Sequence, residues 1–240
     1  MKNNEIKERV ERERVWHDER FHHDTRDEST GTFYFALEDW YKDYLDIVFE
    51  LNANKNILEL GAGLETIALK RDINFSLTSV DISTKAINYL STKILSSNIK
   101  FEIQDVHDMS YQNDTFDLIL ARGVLHHLEI NTGIAEISRV LKNDGKILFG
   151  EPLSGNPLIR LYRYFTPQLR TPDERPLSVK DIKFIKNSFD KVTIDYYGFF
   201  TLIFAILLKR HSPFARRLDK LFLNKLRLGR FLAWSCIIKN

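Results

Sequence analysis

The chain has 240 residues, enough to bury a sizeable core in one α/β domain with additions. Its 35 Lys and Arg against 33 Asp and Glu leave a formal charge of +2, which excludes a global electrostatic pull toward nucleic acid. An apolar share of 43% and a charged share of 28% are those of a soluble globular protein, and the single cysteine, Cys236, excludes an internal disulfide.

Residues 1–28 alternate acids and bases, as in Glu8, Arg9, Glu11, Arg12, Glu13 and Arg14, the pattern of a solvated helix. So charged a start is not that of a signal peptide, and cytoplasmic is the expected compartment. His17, His22, His23 and Asp24 lie at the charged helix end with no cysteine near, so a solvated terminus is expected there rather than a metal site. Residues 36–51 read as a helix, with Leu37, Trp40, Tyr41, Tyr44, Leu45 and Val48 at helical spacing.

The stretch 56–63, Asn-Ile-Leu-Glu-Leu-Gly-Ala-Gly, organises the rest of the chain. An apolar run, 57–60, ends in two glycines, and the helix-compatible segment 64–70 comes next: strand, tight turn, helix. Gly61 and Gly63, lacking a Cβ, permit the turn and a close approach of backbone to ligand. The helix end offers free N–H groups. Glu59 decides between ligands. A carboxylate there repels the pyrophosphate of a dinucleotide, whose loop would also want a third glycine where Thr66 stands. It suits an ammonium, reached through ordered water or backbone. Asp81 ends the next apolar run, 77–80, about 20 residues on, where an acid binds ribose hydroxyls in Rossmann-like folds. Asp105 ends a third run, 99–104. A fourth, 116–121, precedes Arg122-Gly-Val-Leu-His-His-Leu, and a fifth, 147–150, comes after Arg139-Val-Leu-Lys-Asn-Asp-Gly-Lys. Helical segments at 64–70, 84–96 and 134–141 alternate with these runs, which predicts a parallel sheet covered on both faces, with ligand beyond the C-terminal strand ends. Glu59, Gly61, Asp81, Asp105 and Arg122 all fall at those ends. Tyr89-Leu-Ser-Thr-Lys93 matches the Tyr-x-x-x-Lys pattern of short-chain dehydrogenases, but it sits too early after the glycine turn and reads as coincidence.

The series from Glu59 to Pro152 resembles the motifs of class I S-adenosylmethionine (SAM)-dependent methyltransferases, of the small-molecule, type 11/25-like kind. Glu-x-Gly-x-Gly at 59–63 resembles their motif I, with Glu65 where the family usually carries another glycine. The resemblance implies a Rossmann-like seven-stranded, mostly parallel sheet with helices on both faces and the last strand antiparallel. It implies SAM as cofactor, held by Glu59, Gly61, Ala62, Gly63, Asp81, Ile82, Asp105, Val106 and Arg122, and no metal. It divides a single domain into an N-terminal helical cap (1–54), a SAM-binding core (55–150) and a substrate-side part (151–240). Helices of the cap lie over the cofactor in this family, so the aromatics of 36–51 are either core or pocket.

Downstream, 158–165 reads as an aromatic and basic helix. Thr166-Pro, Thr171-Pro and Arg175-Pro make 166–177 a loop, and Ser178 caps a helix over 179–188. Runs at 191–197 and 232–238 suit a sixth and seventh strand, a closing antiparallel hairpin in the family. Between them, 199–208 is apolar throughout but too short to span a bilayer. Ser212-Pro213 then starts a basic amphipathic helix, with Leu218, Leu221, Phe222 and Leu226 on one face, Arg216, Arg217, Lys220 and Arg227 on the other, and Gly229 as its stop. Peripheral membrane contact through 199–229 is one expectation; packing on the domain is the other. Oligomeric state is not legible.

Methyl transfer from a sulfonium needs alignment and desolvation more than covalent help, but a hydroxyl acceptor also needs a base. His126 and His127, after the fourth strand, are the candidates, with Glu151 and Tyr34 behind them. A purely structural role for the His-His pair is the alternative. No Asn-Pro-Pro-Tyr sequence comes after the fourth strand and no cysteine is placed for carbon-5 methylation of RNA, so a small molecule, apolar or lipid-linked, is the expected acceptor. An NAD(P)-dependent Rossmann oxidoreductase and a non-catalytic SAM-binding protein are the competing readings. Glu59 and the missing third glycine oppose the first, and the near-complete motif set opposes the second.

Overall fold

A computed structural model describes residues 2–20, 28–50 and 55–240, with side chains over 4–19, 35–50 and 55–240. His22, His23, Asp24 and the side chain of Tyr34 lie outside the described residues. Two helices, α1 (Lys2–Arg20) and α2 (Glu28–Phe49), precede β1 (Asn56–Leu60). Then come β2 (Ser76–Asp81), α3 (Thr84–Lys93), β3 (Ile99–Ile103), β4 (Phe116–Arg122), α4 (Ile130–Val140) and β5 (Leu141–Pro152). The remainder is α5 (Pro157–Phe165), α6 (Val179–Ser188), β6 (Thr193–Tyr197), α7 (Phe200–Leu208), α8 (Pro213–Asp219), α9 (Gly229–Leu232) and β7 (Ser235–Lys239).

The seven strands form one sheet in the order β3-β2-β1-β4-β5-β7-β6. β1 to β5 pair in parallel, and β7 runs antiparallel to both β5 and β6. The strands are near-continuous apolar runs because alternate residues enter different cores. Leu58, Leu60, Ile119, Ala121, Ile147 and Phe149 meet α4 and α6 on one face through Ile134, Ile137 and Ile185. Ile57, Leu77, Leu118, Leu120 and Leu148 meet Tyr44 and Val48 of α2 on the other. Cys236 is buried in the first core, as expected. The strand order reverses between β1 and β4, and a ligand crevice opens beyond the strand ends at such a point.

Four local expectations are corrected. The helix expected over 64–70 is a single 3-10 turn, Ile67–Leu69. Glu59 accepts the Ile67 N–H and the Thr66 hydroxyl, so a side chain rather than an i→i−4 ladder holds this turn. The amphipathic helix expected as one piece is α8 followed by a wide π-type segment, Lys220–Lys225. That extra residue per turn shifts the phase: Leu223 is 0% exposed, whereas Leu221 is 42% exposed. Arg216 does not lie on a solvated face. It pairs with Asp43 at 2.6 Å and stacks 4.2 Å over the Tyr197 ring. Gly229 is not the helix stop. Arg227 turns the chain at φ 58°, and Gly229 opens α9 where a Cβ would stand 2.2 Å from the Tyr196 ring.

Candidate functional site

The glycine turn is built by close packing. Gly61 (φ 69°) and Gly63 (φ 51°) both adopt the left-handed region. A Cβ on Gly61 would stand 2.3 Å from Val124 Cγ2, whereas the space over Gly63 is open to 4 Å. Glu59 is buried beneath the turn. Its oxygens accept from the hydroxyls of Ser79 (2.5 Å) and Thr66 (2.5 Å) and from Ile67 N–H (2.9 Å). Burial pushes its carboxyl above the usual range. Its hydrogen-bonding capacity is thus committed to the loop, and any service to a cofactor runs through the backbone it holds. Ala62 is buried and donates its N–H to Val80 O.

Asp81, at the end of β2, accepts from Gly63 N–H and from Ser83 N–H, each at 2.8 Å. A carboxylate has about four acceptor sites, so capacity remains for a ribose diol. Ile82 is half-buried beside it. Ser83 caps α3 and donates its hydroxyl to Asp18 Oδ1 of α1 at 2.6 Å, which draws the N-terminal helix over the strand ends. Asp105 accepts from the N–H and Nδ1–H of His107 at 2.9 and 2.7 Å. Burial pushes its carboxyl up, but these bonds hold it below the usual range. The Glu129 N–H reaches His107 Nε2 at 3.0 Å, which fixes the proton on Nδ1. Val106 is buried next to it. Arg122 meets the backbone oxygen of Glu65 at 3.3 Å and lies 5.0 Å over the Tyr41 ring. Glu65, where the family pattern has glycine, therefore anchors Arg122. The Tyr41 hydroxyl is buried and lacks a hydrogen-bond partner among the described residues. The open space above Gly63, the spare capacity of Asp81 and this orphaned hydroxyl fit a polar, elongated cofactor along the strand ends.

The His-His pair sits on a 3-10 turn, Leu125–His127, directly after Val124, the residue packed on Gly61. Glu151, fully buried at the end of β5, accepts from Val124 N–H and Leu125 N–H at 2.8 Å each and from His126 Nδ1 at 2.8 Å. His126 therefore donates from Nδ1 and keeps Nε2 free to accept. Burial, with His127 beside it, pushes its pKa down, so it stands neutral at pH 7. His127 is 4.1 Å from His126, ring to ring, and its Nδ1 lies 3.0 Å from Glu13 Oε2. Glu13 also accepts the Thr171 hydroxyl at 2.6 Å, and Arg9 donates to His127 O at 2.9 Å. Thus α1 closes over the histidine turn.

The sequence did not point to Glu13, Thr171 or Glu174 as site residues, and it read His17 as part of a solvated terminus. A signal existed for Glu13 and His17: Glu-x-x-x-His on a helix places both side chains on one face. It was hidden by the surrounding charge alternation. The aromatics of α2 divide between the two expected roles. Tyr44 is core and Trp40 donates to Cys236 O, while Tyr41 faces Arg122.

Residues 58–149 match the family model described as a methyltransferase domain. The chain is 31% identical over 109 residues to the ubiquinone/menaquinone biosynthesis C-methyltransferase UbiE of Rickettsia bellii, a match that takes in 40% of this chain and 44% of that relative. Phosphoethanolamine N-methyltransferase 2 of Haemonchus contortus, solved with S-adenosyl-L-methionine, shares the fold at TM-score 0.60 and 13% identity, over 93% of this chain and 59% of that one. The YcgJ protein of Bacillus subtilis does so at TM-score 0.54 and 17% identity, over 82% and 97%. With the sheet order, the glycine turn and the acids at the strand ends, these matches make residues 58–149 similar to a methyltransferase domain, in a chain that spans less than half of the curated relatives' length.

Proposed function

We propose that this chain transfers a methyl group from SAM to a small-molecule acceptor with an apolar part. The observation that carries the reading is the contact of Val124 with Gly61, which puts a buried, Glu151-held imidazole beside the cofactor loop. When bound, SAM supplies an electrophilic methyl on a sulfonium. Gly61, Gly63, Asp81, Asp105 and Arg122 would hold it, with Ala62, Ile82 and Val106 as apolar walls and Glu59 as the brace of the loop. The chain itself contributes orientation, exclusion of water by α1, and a proton acceptor at His126 Nε2 for an acceptor that must lose a proton. The relatives' printed role in quinone biosynthesis supports an apolar, ring-bearing acceptor. Their match takes in only 40% of this chain and 44% of the relative, so the acceptor's identity is a matter for assay. Asp81→Ala should weaken SAM binding at least tenfold by calorimetry, because a hydrogen bond to a charged group contributes about 1.5–3 kcal/mol. Unchanged affinity in a folded variant would remove Asp81 from the cofactor site.

The second part of the reading is a seat on an anionic membrane surface. Among the described residues no helix is long and apolar enough to cross a membrane. However, α5 exposes Tyr164 (78%) and Phe165 (69%), and Leu207, Phe214 and Phe231 stand exposed on α7, α8 and α9. α5 packs against α7 through Ile159, Leu202 and Ala205. Arg217, Lys220, Lys225 and Arg227 are exposed along the same insert. Apolar insertion plus about 1 kcal/mol per basic residue near anionic lipid gives weak, salt-sensitive binding. The chain should float with anionic liposomes at low salt, and the variant with these four residues changed to Gln should not. Arg216 is left in place because its charge is spent on Asp43. A wild type that stays at the bottom of the gradient would end the membrane part alone.

A further inference from the structure

We propose that Glu13, His17 and His127 form a binding site for a transition-metal ion of the zinc class. Two imidazoles and one carboxylate are a ligand set that zinc takes in open, three-ligand sites. Glu13 and His17 are four residues apart on α1 and share a face; His127 comes from the turn after β4. Glu13 Oε2 lies 3.0 Å from His127 Nδ1 and 3.7 Å from His17 Nε2, and all three ligand atoms lie within 4.8 Å of one another. Bonds of about 2.0–2.1 Å in a tetrahedron require ligand atoms about 3.3–3.4 Å apart. The Glu13–His127 distance lies just under that spacing and the Glu13–His17 distance just over it.

The surroundings are those of a supported site. Glu13 is buried, and its other oxygen is fixed by the Thr171 hydroxyl at 2.6 Å. The backbone of His127 is fixed by Arg9, whose guanidinium is taken up by His127 O and Asp173 O. Such outer contacts orient ligands. Three protein ligands leave a fourth position. His126 and Glu174 are the neighbours, since they form a second close group with His127. His126 is tied to Glu151 through Nδ1 and Glu174 to Arg163 through Oε1, so each has one free atom, His126 Nε2 or Glu174 Oε2, for a fourth ligand. Where neither ligates, the fourth position is open for water or for an acceptor oxygen. That last role rests on the methyltransferase reading; the metal site itself does not. The alternative is a plain hydrogen bond from His127 to Glu13, with His17 as an edge-on neighbour 5.4 Å from the His127 ring.

The two are separated by titrating the chelator-treated 240-residue chain with Zn²⁺ by calorimetry and with Co²⁺ by visible absorption. Wild type should bind a single Zn²⁺ and give the intense d–d bands of a four- or five-coordinate Co²⁺ centre. His17→Ala, Glu13→Gln and His127→Ala should each weaken Zn²⁺ binding at least a hundredfold, and Thr171→Val by about tenfold. His211→Ala, which removes an imidazole paired with Asp39, should bind as wild type does. SAM titration of each variant reports folding and keeps failure of the metal site distinct from failure of the cofactor assignment. Absence of the Co²⁺ bands in wild type, or undiminished Zn²⁺ affinity in folded His17→Ala, would overturn the site.

Discussion

Changing His126 to alanine should lower turnover by about a hundredfold or more and leave SAM affinity unchanged. General base catalysis contributes about 10²–10⁴, and His126 is the imidazole whose Nδ1 is tied to Glu151 and whose Nε2 is left to accept. Gly61, Gly63, Asp81 and Asp105 sit at the ends of other strands, and Arg122 is held by Glu65 and Tyr41 rather than by His126, so their grip should survive. Single-turnover rates with radiolabelled SAM and the acceptor, beside a calorimetric SAM titration, make the check. A lowered melting temperature with normal turnover would instead mean that the imidazole serves only to hold the turn after β4.

Changing Glu59 to alanine should lower the melting temperature by about 6–12 °C. The substitution strands the Ile67 N–H and the Thr66 O–H and leaves the Ser79 hydroxyl only Thr66 Oγ1, at 3.4 Å, an oxygen that already accepts the Ala68 N–H. A net loss of about 3 kcal/mol is expected from about 1–3 kcal/mol per stranded donor, and about 2–4 °C is lost per kcal/mol at this size. Glu59→Gln separates hydrogen bonding from charge. Because burial raises the Glu59 pKa, its favourable contribution is fullest in acid, below the unfolded pKa, and declines as pH rises through the folded value. Gln retains an acceptor oxygen without the buried charge, so at pH 7 it should melt within a few degrees of wild type. Calorimetric melting of both variants decides. An alanine variant that melts with wild type would show that the loop does not depend on this carboxylate.

The sheet was legible because each strand of a parallel sheet buries both faces. Ile57-Leu58 and Leu118 to Ala121 are apolar runs for that reason, and each ends in a polar residue at the crevice. The glycine turn, Asp81, Asp105 and the His-His turn were legible from local spacing. Glu13 was not, because its meaning lies in His127, 114 positions away. Arg216 looked solvated because Asp43 lies 173 positions away and Tyr197 in a separate strand. The π-type segment was missed because apolar residues at 218, 221, 222 and 226 fit an ordinary helical period; only the burial of Leu223 reveals the shifted phase. The direction of Glu59 was half legible. Its exclusion of phosphate comes from charge, but its engagement by Ser79 and Thr66 needed the strands side by side.

The crevice above β1, β2 and β4 should take SAM and not a nicotinamide dinucleotide. Calorimetric titration of the 240-residue chain with SAM, NAD⁺ and NADP⁺ in parallel tests this most directly. Saturable binding of SAM, with no heat from either dinucleotide, is the predicted result. Binding of NAD⁺ or NADP⁺, or a folded chain that takes up no SAM, would contradict it.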